Sequence, residues 1–167
     1  NTVKRAMAVL SRLDVDMVNL HAAGTSEMMR AALEGLTRPD GTRPLLIAVT
    51  QLTSTDAAAL KNELLIDTPM AETVLSYAKN AAASGLDGVV CSGHEAARIK
   101  ASCQGLRCLC PGSRPAGADT DDQQRIMTPA RAVQAGADFL VVGRPILKAP
   151  SPAEAARAIQ AEMKAAV

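Results

Sequence analysis

Short apolar runs with almost no charge alternate along the chain with longer segments in which apolar residues recur every three or four positions. The last run, 139–142, has no polar residue on either face. We therefore expect both faces to be buried, as in a parallel sheet covered by helices. The other runs of this kind are 17–21, 45–50, 88–91 and 106–110. The pattern predicts five short strands.

Helical periodicity fills the intervals between these strands. In 2–13, for example, Met7 and Leu10 lie one helical turn apart. Ser92 and Thr128 are expected to cap the helices that follow them, the second with proline at its first position. The other predicted helices are 26–36, 70–84, 94–102, 128–135 and 152–166, with a short one at 56–65.

A repeated turn precedes three of the strands and indicates how the units are joined. Each turn follows a predicted helix and carries an acid directly before the strand, namely Asp16, Asp87 or Asp138. Five strand–helix units in 167 residues correspond to about the last five units of a (β/α)8 TIM barrel, which takes ~250 residues. A doubly wound sheet is the alternative, but its Gly-x-Gly-x-x-Gly fingerprint is missing. We therefore expect 1–167 to be a single domain, part of an α/β barrel.

Composition narrows the classes of partner. The apolar fraction is 48% and the net charge is only +1, which argues against a broad basic surface for nucleic acid. We see no apolar run of membrane-spanning length and no signal peptide, so we expect no membrane partner. The four cysteines fit neither a disulfide framework nor a zinc spacing. Buried thiols in a reducing cytoplasm are the better interpretation.

Two arginines follow the last two predicted strands, and they suggest a phosphate site. Arg114 and Arg144 each lie just after a strand, and in a barrel the last two strand ends are the usual place for phosphate. Gly143 would let the backbone approach a ligand closely. The segment 112–122, which contains Arg114, has the composition of a mobile cover, and Gln123 could donate to the same anion. The alternative is that 143–144 is an ordinary turn with a surface arginine and that 112–122 is a surface loop without a function.

The segment 50–54 (TQLTS) follows an uncharged strand and is rich in hydroxyl and amide groups. Such groups can recognise the donor and acceptor edge of a neutral heterocycle. Helix capping by Ser54 or Thr55 ahead of Asp56 is the alternative for part of the cluster. His21 could reach the same strand ends, but we expect an orienting or core role for it.

Four of these segments resemble one family. They are 15–24 (VDMVNLHAAG), 44–54 (PLLIAVTQLTS), 85–92 (GLDGVVCS) and 138–144 (DFLVVGR), and they resemble the bacterial form of orotidine 5'-phosphate decarboxylase. The likeness runs from Asn1 essentially to the C-terminus. It implies a (β/α)8 barrel, usually a homodimer, that converts orotidine monophosphate to UMP and CO2 in pyrimidine biosynthesis. The family uses no metal and no organic cofactor.

The resemblance assigns substrate-binding positions residue by residue. Thr53 falls at the position that contacts the pyrimidine edge, and 113–122 corresponds to the segment that closes over the phosphate. Thr2 matches a threonine that reaches the ligand bound in the neighbouring subunit. The phosphate-binding positions fall on Arg114, Gln123, Gly143 and Arg144.

The family's catalytic array has no counterpart in 1–167. Asn1 and Thr2 look like the tail of the family motif Asp-x-Lys-x-x-Asp-Ile-Pro-Asn-Thr, so the lysine proton donor and its aspartates would lie upstream of Asn1. We therefore expect no catalytic residue in this chain. It would be a C-terminal portion without the first three strands, a carboxy-lyase by resemblance that is inactive alone. None of its own lysines is expected to follow a strand with paired acids; they are Lys4, Lys61, Lys79, Lys100, Lys148 and Lys164.

Two alternatives remain open. One is a phosphosugar enzyme of the same barrel superfamily, such as a keto-sugar phosphate decarboxylase or a hexulose phosphate synthase. It would share Gly143 and Arg144, would not need the polar segment 50–54, and would use a metal. The other is a non-catalytic partial barrel whose exposed strand edges promote association.

Overall fold

The strands form one parallel sheet in a computed structural model, which describes residues 1–114 and 127–167. Along the sheet the strands follow their order in the chain, β1-β2-β3-β4-β5. A doubly wound sheet reverses this order partway along, whereas a barrel keeps it. The topology is therefore that of a partial (β/α) barrel. The strands are Met17–His21 (β1), Leu45–Val49 (β2), Gly88–Val90 (β3), Arg107–Pro111 (β4) and Phe139–Val141 (β5).

Helices connect the strands and lie within three residues of the predicted bounds, apart from two short elements that the periodicity did not indicate. Those two are a 3-10 turn at Ala22–Gly24 and a four-residue helix that begins at Arg144. In the described residues the helices are Thr2–Leu10 (α1), Thr25–Leu36 (α2), Ala57–Asn62 (α3), Met70–Ala83 (α4), Gly93–Ser102 (α5), Pro129–Gln134 (α6), Arg144–Leu147 (α7) and Pro152–Lys164 (α8).

Both predicted caps are confirmed. The Ser92 hydroxyl accepts a hydrogen bond from the His94 N–H at 3.3 Å, and the Ser92 N–H donates to the Glu95 carboxylate at 2.8 Å. This reciprocal capping box begins α5 directly at the end of β3. The Thr128 hydroxyl accepts from the Arg131 N–H at 3.3 Å and begins α6. These caps set where the chain turns from strand to helix.

The hydrophobic core lies between the sheet and its helices. On each strand every second side chain faces this layer, including Leu46, Ala48 and Val89, and all three are fully buried. All four cysteines are buried free thiols, as predicted; they are Cys91, Cys103, Cys108 and Cys110. Sulfur contacts with Cys108 and Cys110, together with burial, raise the pKa of the Cys91 thiol, so it stays protonated.

The opposite face of the sheet is apolar and partly open. It carries Ile47 and Val49 at the centre and Phe139 and Val141 on the edge strand β5. Phe139 is 38% exposed and Val141 48% exposed. The prediction that both faces of 139–142 are buried was therefore wrong. Central strands are shielded by their neighbours, whereas β5 is an edge strand and the described residues place no layer over its inner side.

Candidate functional site

Four of the predicted site residues follow the carboxyl ends of strands, which meet at one edge of the parallel sheet; they are Thr53, Arg114, Gly143 and Arg144. Pro111 at the end of β4 and Val141 at the end of β5 are register partners. Arg114 and Arg144 each lie three residues beyond one of these partners. The structure therefore brings the two arginines to neighbouring strand ends. Thr53 follows the end of β2 at the same edge.

Arg114 is the most unusual of these side chains because it is a buried cation. The residue is only 6% exposed. One terminal nitrogen donates to the Ser113 carbonyl at 3.1 Å, but Nε has no hydrogen-bond partner among the described residues. Burying a charged donor without an acceptor is costly. This arginine is therefore well suited to an anionic acceptor.

The chain on either side of 115–126 is held together at the end of β4. The Arg114 N–H donates to the Met127 carbonyl at 3.0 Å, and Ser113 forms an isolated parallel bridge with Met127. Arg114 therefore has a fixed backbone position. Gln123 and 115–122, which includes most of the predicted cover, lie outside the described residues, so their roles stay predictions.

Gly143 and Arg144 form the turn from β5 into α7. Gly143 has φ −101° and ψ −91°, which does not by itself require glycine. A Cβ built at Gly143 would meet no atom within 4 Å, so the space beside the half-buried Arg144 is empty among the described residues. Close approach of a ligand to this backbone stays a prediction, and the geometry leaves room for it.

In the polar segment after β2, only part of the cluster is available to a ligand. The Thr50 hydroxyl donates to the Val90 carbonyl at 2.8 Å and so joins the ends of β2 and β3. Gln51 and Thr53 are buried, whereas Ser54 is exposed. Thr50 thus has a structural role, and the contact of Thr53 with a heterocycle edge stays a prediction.

The capping alternative for this segment was wrong in its choice of residue. Asp56 is the N-cap of α3, and its carboxylate accepts from the Ala59 N–H at 2.7 Å. Ser54 and Thr55 are not the cap, because the carboxylate of the next residue occupies that position. Capping therefore explains neither hydroxyl.

Thr2 lies apart from the other predicted residues. It lines a cavity of about 360 Å³ between the beginnings of α1 and α2, together with Asn1, Gly24, Thr25 and Met28. That cavity contains no other predicted site residue. The structure does not bring Thr2 together with the arginines, and its contact across a subunit boundary stays a prediction.

The inner face of the sheet holds a cavity that the sequence analysis missed. Its volume is about 300 Å³, and Asn19 is its polar lining residue. The alternation in β1 could have shown this, since Asn19 shares one face with Met17 and His21. Apolar walls with one amide suit a flat, uncharged ring. The apolar lining comes from Met17, Val18, Ile47, Val49, Leu52, Val90, Leu109, Pro111 and Val141.

His21 is exposed at the end of β1, so the predicted core role was wrong. Its strand is an edge of the sheet and, among the described residues, pairs with β2 on one side only. An orienting role for His21 stays a prediction.

Lysines form ion pairs away from the carboxyl ends of the strands. Lys61 pairs with Asp67 at 2.9 Å, and Lys100 pairs with Asp138 at 2.6 Å. Within 1–114 and 127–167, no lysine follows a strand beside two acids, and no cluster of potential ligands could hold a metal ion. No helix in those ranges is long and apolar enough to cross a membrane.

Parallel strands in sequential order, with polar side chains at their carboxyl ends, define a protein of the (β/α)-barrel class. Residues 1–159 match the model of the "Orotidine 5'-phosphate decarboxylase / HUMPS family". The chain belongs to this family.

Individual relatives agree with this assignment. The chain is 55% identical over 163 residues to orotidine 5'-phosphate decarboxylase of Streptococcus thermophilus and 56% identical to that of Streptococcus mutans. Each alignment covers 97% of this chain and 69% of the relative. The crystal structure of orotidine 5'-phosphate decarboxylase from Lactobacillus acidophilus superposes with a TM-score of 0.84 at 38% identity. It covers 98% of this chain, which in turn covers 70% of that structure. An uncharacterised conserved protein from Geobacillus kaustophilus superposes at 0.81 with 44% identity.

Proposed function

We propose that this chain carries the phosphate- and pyrimidine-binding part of an orotidine 5'-phosphate decarboxylase. In this proposal 1–167 is a single domain at the C-terminal side of the barrel. The observation that carries the proposal is Arg114, a buried guanidinium whose Nε lacks an acceptor among the described residues. A phosphate oxygen supplies the acceptor and the compensating charge together.

The phosphate site is completed from the neighbouring strand end. Arg114 follows β4 and Arg144 follows β5, and these two strands pair with each other. Both guanidinium groups can therefore bind one anion. Gly143 leaves open space beside Arg144 for the phosphate. In this proposal Gln123 adds a further donor, and the predicted cover 113–122 shields the phosphate and the two arginines from water.

The base lies toward the inner face of the sheet. Thr53 is buried at the end of β2, next to Leu52 in the lining of the apolar cavity. A hydroxyl can both donate to and accept from the polar edge of a pyrimidine, and the apolar walls take its faces. Thr2 contacts the ligand of the neighbouring subunit in a homodimer.

Catalysis needs a group that these residues do not supply. Loss of CO2 leaves carbanionic charge on the ring, and a lysine held between carboxylates can donate the proton and stabilise that charge. Phosphate binding aligns the base for this step. The polypeptide 1–167 therefore binds the nucleotide but does not decarboxylate it alone. The four buried free thiols fit a reducing, cytoplasmic setting.

The first test measures nucleotide binding by calorimetry with UMP, uridine and inorganic phosphate. We expect UMP to bind more tightly than uridine. Arg114→Met and Arg144→Met should each weaken UMP binding by about tenfold to a hundredfold, because each removes a charge-assisted hydrogen bond, with uridine binding unchanged. Arg131→Met, an exposed arginine on α6, is the matched control. Equal losses in all three variants would contradict the phosphate site.

The second test measures turnover and distinguishes the alternative. The chain is purified from a host that lacks its own decarboxylase, and CO2 release from orotidine monophosphate is followed. Release at a measurable rate would contradict the proposed inactivity. Because the family model includes the HUMPS group, a pentose phosphate is then competed against UMP. A pentose phosphate that displaces UMP at lower concentration would favour the phosphosugar alternative.

A further inference from the structure

Met127 joins the end of β4 to the beginning of α6, next to the candidate phosphate site. Its carbonyl accepts the Arg114 N–H at 3.0 Å, and its backbone forms a parallel bridge with Ser113. The following residue, Thr128, is the N-cap of α6. Met127 therefore ties the backbone of Arg114 to the beginning of a helix.

The Met127 side chain packs directly on Gly93, the first residue of α5. A Cβ built on Gly93 would lie 3.0 Å from the Met127 sulfur and 3.6 Å from the Met127 Cβ. Gly93 is buried and its φ is not positive, so its backbone conformation does not require glycine. The absent side chain at this position leaves the space that the thioether fills.

The surface beneath the thioether belongs to well-anchored elements. Gly93 follows Ser92, which is fully buried and begins α5 through its capping box with Glu95. The Cβ of Ala132, on α6, approaches the same built position on Gly93 to 3.5 Å and is also fully buried. Close-packed contacts of this kind leave a side chain little freedom to move. The packing on Gly93 thus fixes the place of the Met127 backbone.

We propose that Met127 is a positioning residue for phosphate recognition, which acts through Arg114. The Arg114 guanidinium is buried, and its one hydrogen bond among the described residues goes to the carbonyl of the adjacent Ser113. Its orientation therefore follows the backbone that Met127 holds. A misplacement of about 1 Å in a binding group can cost as much as a hundredfold in function. This inference rests on the proposed phosphate site and adds to it a residue on a different part of the chain.

A purely structural role for Met127 makes a different prediction. Loss of core packing lowers the stability of the chain, but it does not change which ligand the folded chain prefers. UMP and uridine share the base and the ribose and differ in the phosphate. The ratio of their affinities therefore isolates the phosphate contribution, which is the quantity that a misplaced Arg114 would reduce.

Calorimetric titration with UMP and with uridine tests the role of the side chain. Met127→Ala keeps the carbonyl but removes the packing on Gly93, so we expect UMP affinity to fall about tenfold with uridine affinity unchanged. Met127→Leu conserves most of the volume and should restore UMP affinity to within about twofold of the unsubstituted chain. The control is Met163→Ala, a half-buried methionine near the end of α8, which should change neither affinity.

A substitution at Gly93 tests the same contact from its other side. Gly93→Ala places a methyl group 3.0 Å from the Met127 sulfur, so the thioether has to shift. We expect this substitution to weaken UMP binding about threefold and to have no further effect once Met127→Ala has removed the sulfur. Such non-additivity assigns the effect to the contact between the two residues. If Met127→Ala does not fold, Gly93→Ala and Met127→Leu still decide the result.

The outcomes separate this inference from the proposed function. Each variant is titrated well below its measured unfolding midpoint, so a loss of stability does not enter the affinities. An equal loss of UMP and uridine binding, an unchanged UMP affinity in Met127→Ala and in Gly93→Ala, or additive effects of the two would overturn the positioning role. If the unsubstituted chain prefers UMP and the variants keep that preference, only this inference fails. If the unsubstituted chain binds UMP no better than uridine, the phosphate site fails and the inference fails with it.

Discussion

Thr25 is one of two non-glycine residues with a positive φ among the described residues. It adopts φ 72° and ψ 168° between the 3-10 turn and the body of α2. A positive φ combined with extended ψ is a region that glycine occupies almost alone, and a β-branched residue there stores strain of roughly 1–3 kcal/mol. The strain lies beside Thr2, in the wall of the same cavity.

Replacing this threonine tests the strain directly. We expect Thr25→Gly to raise the free energy of unfolding by about 1 kcal/mol, because the relief of strain exceeds the added entropy of glycine in the unfolded chain. Urea unfolding measures the change. Ser26→Gly, one residue further along α2, is the control and should lower the free energy of unfolding by up to about 1 kcal/mol. A loss of stability in both variants would show that the Thr25 conformation is not strained.

At the scale of elements, aspartates join strands that are distant in sequence. Burial alone would raise the pKa of Asp87, but hydrogen bonds from Arg43 and the Leu46 N–H outweigh burial, so the pKa lies below its ordinary value of 3.8. The folded state therefore favours the ionised carboxylate. Its contribution to stability is complete above the unfolded pKa of about 3.9 and is lost as the pH falls through the lower folded value.

Removing this charge should change the pH dependence of stability. We expect Asp87→Asn to lower the free energy of unfolding by about 1–3 kcal/mol at pH 7. The difference from the unsubstituted chain should shrink below pH of about 4, where the wild-type carboxylate also becomes protonated. Urea unfolding between pH 3 and 7 follows both. Asp67→Asn, whose side chain is 85% exposed, should show a small difference with little dependence on pH. A constant difference for Asp87→Asn would exclude the charge as its cause.

At the scale of the whole molecule, the sheet presents one buried face and one open face. The helices bury the side of the sheet that carries Leu46, Val89 and Cys108, while Phe139 and Val141 remain partly exposed on the inner side. A concave apolar surface of this kind binds apolar dyes in the native state.

Dye fluorescence checks this asymmetry. We expect the native chain to enhance the fluorescence of an anilinonaphthalene sulfonate dye, and Val141→Gln to reduce the enhancement severalfold, since it places an amide in the wall of the cavity. Val9 lies on α1 outside that cavity and is 61% exposed, so Val9→Gln should leave the enhancement unchanged. Equal effects of the two substitutions would show that the dye does not bind at the inner face of the sheet.

Much of the architecture could be predicted from local pattern. Strand and helix bounds follow from periodicity, and the capping residues Ser92 and Thr128 act on N–H groups two or three residues away. The resemblance of four segments was also visible in the sequence and agrees with the family match over 1–159. The exposure of Phe139 and the role of Thr50 could not be predicted this way, because each depends on which strand lies alongside.

The sequence by itself determined the order of strands and helices and which residue types stand at each strand end, because these depend on neighbours within about one helical turn. It also indicated the family, through four segments read as whole motifs. Only the tertiary structure decided that Arg114 is buried with one donor unpaired among the described residues, and that Asp87 and Asp138 hydrogen-bond to neighbouring strands. Those aspartate bonds join residues 41 and 30 positions apart. Burial and long-range hydrogen bonds arise when distant segments pack together, so no local pattern contains them.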